Sequence, residues 1–220
     1  MMKAKLLLPV LALLVLATSG CDLKRLRGNG DVRSETRPVT SFSKLDAGGF
    51  YEIEWHPGAP SLSIRTDENL LSHITTRVVG EQLKISLDDP VAPTDGVKIV
   101  ITSPTLGTAE LSGALELTAQ QLSGAKFVLQ TSGAAKVTLG GQVNRLLADL
   151  TGASKLEAAG LSASDVELSV TGAGKADVTA TNSLRAAITG AGKVTYGGQP
   201  KSVDKQVTGA GRIEPRDSAQ

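Results

Sequence analysis

Five cations stand at matching points of a recurring pattern: Lys136, Lys155, Lys175, Lys193 and Arg212, with Glu116 heading the series. Each lies three residues after a glycine. A second series, of hydroxyls, falls just before those glycines: Ser112, Ser132, Thr151, Thr171, Thr189 and Thr208. On stacked turns of chain about 4.8 Å apart the cations would repel one another, and salt would screen that repulsion only in part. An acidic polysaccharide or the phosphates of a lipopolysaccharide could relieve it, which makes the column the candidate ligand-binding face. A local reading competes. Glu157, Asp177 and Glu214 lie two residues beyond their own cation and share its strand face, so they would neutralise much of the charge. Solvated lysine also discourages edge pairing. The hydroxyls read as a ladder that satisfies backbone groups at turns. An ice-binding face would need two threonines per coil, and the pattern offers one.

Other chemistry is excluded by spacing. Gly172-Ala173-Gly174-Lys175 and Gly190-Ala191-Gly192-Lys193 fail as phosphate loops, which need a glycine five residues before the Gly-Lys pair and Ser or Thr after it. Here those positions hold Ser169 and Ala187, then Ala176 and Val194. A dinucleotide fingerprint lacks its third glycine, and a calcium-binding nonapeptide repeat lacks its regular Asp. Phe50–Trp55 reads as a strand with Tyr51, Ile53 and Trp55 on one face and Glu52 and Glu54 on the other. Carboxylates about 6–7 Å apart approach glycosidase separations, but any Glu-x-Glu strand does the same. The aromatics are expected in the core or an end cap, the carboxylates in solvent. His56 and His73 lack metal-ligand spacing and cysteine partners.

The elements that must position the two series form a repeat. The glycines fall at 113, 133, 152, 172, 190 and 209, in steps of 20, 19, 20, 18 and 19. A fixed period near twenty means one unit stacked on copies of itself. After each glycine the order runs charge, apolar, polar, as in Lys155-Leu156-Glu157, which is the period-two signature of a half-buried strand. A second strand, such as Asp165–Val170 or Leu184–Ile188, completes each copy. Short strands and turns per roughly twenty residues describe one coil of a β-solenoid. Glycine at the corner supplies φ > 0, and the alanine after it is expected to fit a bend too tight for a larger side chain. The leucine-rich-repeat pattern is absent.

A basic start, an apolar run from Leu6 to Ala17 and Thr18-Ser19-Gly20 before Cys21 read as a secretory signal over residues 1–20. The run is too short to span a membrane. Cys21 is the sole cysteine and resembles the acylated residue of a bacterial lipobox, although Thr18 departs from the usual leucine. Without Lys3 and Lys5, 21 basic residues face 22 acidic ones, a balance that gives no bias towards nucleic acid. The aliphatic, aromatic-poor composition suits a narrow solenoid core.

Residues 21–38, polar and aperiodic with Gly28-Asn29-Gly30, are expected to be a flexible tether, residues 39–214 the folded domain, and 215–220 a disordered tail. Strands are expected at Phe50–Trp55, Ser61–Arg65, Arg77–Val79, Leu83–Leu87 and Val97–Thr102, and a helical turn at Asn69–Thr75. This half is either an irregular set of coils or a lobe of another shape.

Val39-Thr40-Ser41-Phe42 with Leu45, Asp67-Glu68-Asn69-Leu70-Leu71, Ile74-Thr75-Thr76 and Gly80-Glu81-Gln82-Leu83-Lys84-Ile85, followed by the Gly-Ala repeats, resemble the head GIN domain family of autotransporter-type adhesins. The resemblance covers roughly residues 38–214. It implies an all-β, right-handed β-helix-like domain in bacterial envelope proteins, often lipoproteins, and carries no catalytic residues. The expectation is a non-enzymatic, cofactor-free protein in the bacterial envelope, held to a membrane by lipid on Cys21. Which membrane stays open, since Asp22 implies inner-membrane retention only under a sorting rule that not all bacteria follow. Its partner is expected to be a surface glycan or another envelope component. The alternatives are a polysaccharide-active β-helix enzyme and a structural component that binds a protein.

Overall fold

The computed structural model describes residues 25–216. In chain order the elements are β1 (Leu26–Arg27), β2 (Val32–Arg37), β3 (Lys44–Gly49), β4 (Glu52–Pro57), β5 (Ser61–Asp67), a 3-10 turn (Glu68–His73), β6 (Ile74–Val79), β7 (Gln82–Leu87), β8 (Val91–Ala92) and β9 (Lys98–Ser103). They continue as β10 (Thr108–Gly113), β11 (Glu116–Gly133), β12 (Lys136–Gly152), β13 (Lys155–Gly172), β14 (Lys175–Gly190), β15 (Lys193–Gly197), β16 (Ser202–Gly209) and β17 (Arg212–Pro215). From β11 onwards each coil stacks in parallel on the next, so the all-β solenoid with coils near twenty residues is the observed fold.

Alternation explains why these strands form and which face they bury. Leu117, Val137, Leu156, Ala176 and Val194 fall in one register column and are all buried. On the opposite wall Leu129, Ala148, Leu168 and Ala186 form another, alternating large and small so that neighbouring rungs interdigitate. Burial of each large aliphatic side chain contributes roughly 1.5–3 kcal/mol. One copy breaks the pattern. Thr131 stands where Leu111 and Leu150 stand in adjacent rungs, and its buried hydroxyl donates to the equally buried Ser154 Oγ at 2.9 Å. Two polar substitutions, in adjacent coils, satisfy each other and avoid the cost of an orphaned buried hydroxyl.

The corner glycines have positive φ, for example 115° at Gly133. They are also stacked so closely that a Cβ on Gly133 would lie 2.6 Å from the Gly113 carbonyl oxygen. The alanines beside them behave otherwise than expected: Ala114, Ala134, Ala153, Ala173, Ala191 and Ala210 are all exposed, because their side chains point out of the bend. The crowded position is the next one. It is filled by Leu115, Ala135 and Ser154 and then only by glycine, since a Cβ on Gly211 would lie 2.6 Å from Ile188 Cγ2.

The first half contains further coils. β3 and β4 form a rung beneath β10 and β11, with Gly49 opposite Gly113. β7 and β9 form the rung below that, joined by a corner segment that carries β8. Antiparallel strands β5, β2 and β6 then close this pole. The expected helical turn is the 3-10 turn, which buries Leu70 and Leu71.

The tether reading is overturned for the residues the structure describes. β1 pairs with β8 and β2 with β5, because two side chains of the Asp67–Leu71 segment clasp this stretch. Asp67, fully buried, accepts from the Gly30 amide at 2.8 Å and from the Thr94 amide and hydroxyl at 2.8 and 2.7 Å. Asn69 accepts from the Asn29 amide and donates to the Arg27 carbonyl. Arg37 reaches the carbonyls of Leu71 and Ile74 and the Thr76 hydroxyl. At the other terminus, Pro215 belongs to β17 and Arg216 is pinned to the Tyr196 carbonyl, so the tail does not begin at 215. The signal segment, Cys21 and residues 217–220 lie outside the described residues.

The C-terminal pole ends on an open strand, β16, with Val203 and Val207 exposed. Lys205 takes the core column there, opposite Ala186. Its ammonium sits 4.7 Å from the Tyr196 ring centroid and donates to the Ile213 carbonyl. An inward-pointing charge blunts a sheet edge. Lys205→Val is therefore expected to raise the mass found by light scattering above that of the wild type at equal concentration. An unchanged mass would show that Lys205 does not guard this edge.

Candidate functional site

The register brings the five sequence-predicted cations into one column: Lys136, Lys155, Lys175, Lys193 and Arg212 are consecutive partners. Beyond Glu116, the expected head of the series, the column continues through Glu52, Lys98 and Arg65, members that the interrupted first half concealed. Three of the five cations are paired. Lys136 meets Glu116, Lys155 meets Glu157, and Lys193 meets Glu214 of the next coil, each at 2.5 Å. The hydrogen bond and charge of Glu116 raise Lys136 above the usual lysine range. Lys155 and Lys193 likewise hold Glu157 and Glu214 below the usual carboxylate range. Exposed pairs of this kind are weak, screened by salt, and exchange readily with other ions.

Lys175 and Arg212 have no ion-pair partner among the described residues. For Lys175 the reason is visible. Asp177, its expected neutraliser, is taken by Arg216, whose guanidinium donates to Asp177 Oδ1 at 2.5 and 3.1 Å. The local neutralisation expected from sequence thus holds for Glu157 and fails for Asp177.

The hydroxyl column lies round the corner, on the opposite wall. Ser112, Ser132, Thr151, Thr171, Thr189 and Thr208 are in register and exposed. None of these hydroxyls bonds to another described residue, so the turn-ladder reading is not what the side chains do. Beside them runs a lane that sequence reasoning missed: Asp46, Glu110, Gln130, Asp149, Ser169, Ala187 and Gln206. The signal was present as the residue two before each Ser or Thr, but it varies too much in type to stand out. Asp46, Glu110, Gln130 and Asp149 line a shallow groove with Ser112, Ser132 and Thr151.

Tyr51 and Trp55 are core residues, buried with their polar atoms engaged: Tyr51 donates to the Gly48 carbonyl and Trp55 to Ser103 Oγ. Burial pushes the Tyr51 phenol far up. Glu52 and Glu54 face solvent, Glu52 beside Lys98 and Glu54 beside His56. His73 bonds Asp89 at 2.8 Å. Among the described residues no group of three or more His, Cys, Asp or Glu is placed to hold a metal ion, and no helix is long and apolar enough to cross a membrane.

Comparison with known proteins agrees with this geometry. The family described as "Putative auto-transporter adhesin, head GIN domain" matches residues 41–200. Among solved structures, a "putative adhesin" from Bacteroides fragilis is 25% identical with a TM-score of 0.72, over 87% of this chain and 100% of that one. A "putative lipid binding protein" from Parabacteroides distasonis and a "putative adhesin" from Parabacteroides merdae are each 20% identical, with TM-scores of 0.55 and 0.54. Each alignment covers 88% of this chain, and 100% and 99% of theirs. At that identity they speak for the fold. No curated protein matches.

Proposed function

Since the chain belongs to the head GIN domain family of auto-transporter adhesins, we propose that it is an envelope lipoprotein, acylated on Cys21, whose solenoid binds an acidic surface glycan. One observation carries the reading: an in-register cation column on a stiff wall, with Lys175 and Arg212 left unpaired at its C-terminal end. Repeated at rung spacing, weak contacts with a repetitive polyanion add together. The binding centre is the segment Lys175–Lys193–Arg212, and Lys136 and Lys155 contribute by exchanging their carboxylate partners for the ligand.

The test is glycan-array binding by a soluble chain starting at Asp22, at low and physiological salt. Acidic glycans should bind in a salt-sensitive way. Lys175→Ser with Arg212→Ser should weaken that binding about three- to tenfold, more than Lys136→Ser with Lys155→Ser. Absence of binding at both salts, or equal loss from both pairs, sinks the assignment. Absence of any glycan binding turns attention to an envelope protein partner. Arg216→Ala offers an independent check: it frees Asp177 to neutralise Lys175 and should itself reduce binding.

A further inference from the structure

We infer that the solenoid stands on an anionic membrane surface, with its N-terminal pole docked through Arg25, Leu26 and Arg27 and its C-terminal coils outermost. The inference rests on the acylation of Cys21 proposed above. The expected tether does not separate the two, because the fold begins at β1. Three residues of chain lie between Cys21 and Arg25, and the four backbone steps that join them reach only about 14 Å when fully extended. The pole is therefore held against the surface that carries the lipid.

That pole has the chemistry such a surface requires. β1 stacks on β8, the corner of the rung formed by β7 and β9, and so lies at this end of the solenoid. Leu26 is exposed, and Arg25 and Arg27 are exposed without an ion-pair partner among the described residues. Lys24 precedes them in the chain. Most acids of this pole are engaged elsewhere, Glu81 in the turn between β6 and β7 excepted. Asp31 and Glu68 meet Arg33, Glu35 meets Arg37, Asp89 meets His73, and Asp88 accepts from Thr75. Basic residues beside a lipid anchor are attracted to anionic headgroups within a Debye length, and a leucine between two arginines adds an apolar contact at the same depth. The clasp by Asp67 and Asn69 keeps residues 27–30 on the domain, so attraction at β1 orients the whole solenoid.

The consequence is a defined polarity. From β9 through β4, β11, β12, β13, β14 and β15 to β17 there are seven strand spacings, or roughly 34 Å. Lys175 and Arg212 then project away from the bilayer.

The test uses the full acylated chain, isolated from bacterial membranes and reconstituted in phosphatidylcholine vesicles with or without phosphatidylglycerol. Acylated Cys21 has no free thiol and is the sole cysteine, so a fluorophore can be placed on Ser34→Cys at the docked pole or on Ala210→Cys at the far one. Energy transfer to an acceptor in the bilayer should place Ser34 closer than Ala210 by roughly 20–30 Å on anionic vesicles at low salt. Arg25→Ser with Arg27→Ser should cut that difference to less than half. Equal distances for the two labels, or a difference that ignores the arginine substitutions, overturns the docking while leaving the anchor intact. Failure of Cys21 to take up labelled palmitate in cells sinks the anchor, and the docked geometry with it.

Discussion

Replacing Gly172 by alanine is expected to lower the stability of the solenoid by about 3 kcal/mol. Its φ of 112° lies in the left-handed region, where a Cβ costs roughly 1–2 kcal/mol. The new methyl would also lie 2.6 Å from the Gly152 carbonyl oxygen and 3.3 Å from its carbon. Those atoms are backbone of the coil below and cannot swing aside as a side chain could. Overpacking of this kind adds about 1–3 kcal/mol. The Gly172 carbonyl in turn accepts from the Ala191 amide at 2.9 Å, so a shift at one corner propagates to the next. Urea midpoints measure the loss. Ala173→Ser, one residue along and exposed, should change stability by less than about 0.5 kcal/mol. If Gly172→Ala cost no more than this neighbour, the corner would not be the constraint on coil stacking.

Asp67→Asn is the second large effect and brings a pH dependence. Burial by itself raises the Asp67 carboxyl, but hydrogen bonds from Thr94, Gly30 and its own amide outweigh burial and hold it below the ordinary carboxylate value. A folded pKa below the unfolded one means that the carboxylate's stabilisation is fully present above roughly pH 4. It is lost as pH falls from there through the lower folded value. An amide keeps one acceptor oxygen, but it turns an NH2 towards groups that donate to Asp67, the Gly30 and Thr94 amides and the Thr94 hydroxyl. Hydrogen bonds to a charged group count for more than neutral ones, and water reaches the exposed donors, so a cost of about 2 kcal/mol is expected at pH 7. The gap between wild type and Asp67→Asn should narrow as pH is lowered from 5 to 3, and amide exchange at residues 26–31 should quicken in the variant. A gap independent of pH would mean that the charge is not what holds β1 and β2.

Much of the solenoid was legible because its determinants are local. Period-two alternation and a φ > 0 corner are written within a few residues, so Lys155-Leu156-Glu157 after Gly152 announces an outward, an inward and an outward side chain. The N-terminal rung escaped because Ala47-Gly48-Gly49, the first copy of the corner, is cut off from its neighbour Ser112-Gly113 by the inserted strands β5 to β9. Strand β2 escaped because Val32–Arg37 has little apolar alternation of its own. Its place is fixed by Asp67 and Asn69, about forty residues away. Chain patterning cannot reveal a partner chosen at that distance.

The sequence alone determined the repeat length, the aliphatic ladders and the cation column, since stacking identical units in register turns a linear period into a column. Which charges remain unpaired depends on how coil packs on coil. Along a strand, residues two apart lie about 6.8 Å from each other, whereas the next coil is about 4.8 Å away. A cation therefore often finds its nearest carboxylate on another rung, as Lys193 finds Glu214. A carboxylate can likewise be claimed from two coils away, as Asp177 is by Arg216. The charge of the face is thus a property of the stack, not of the strand.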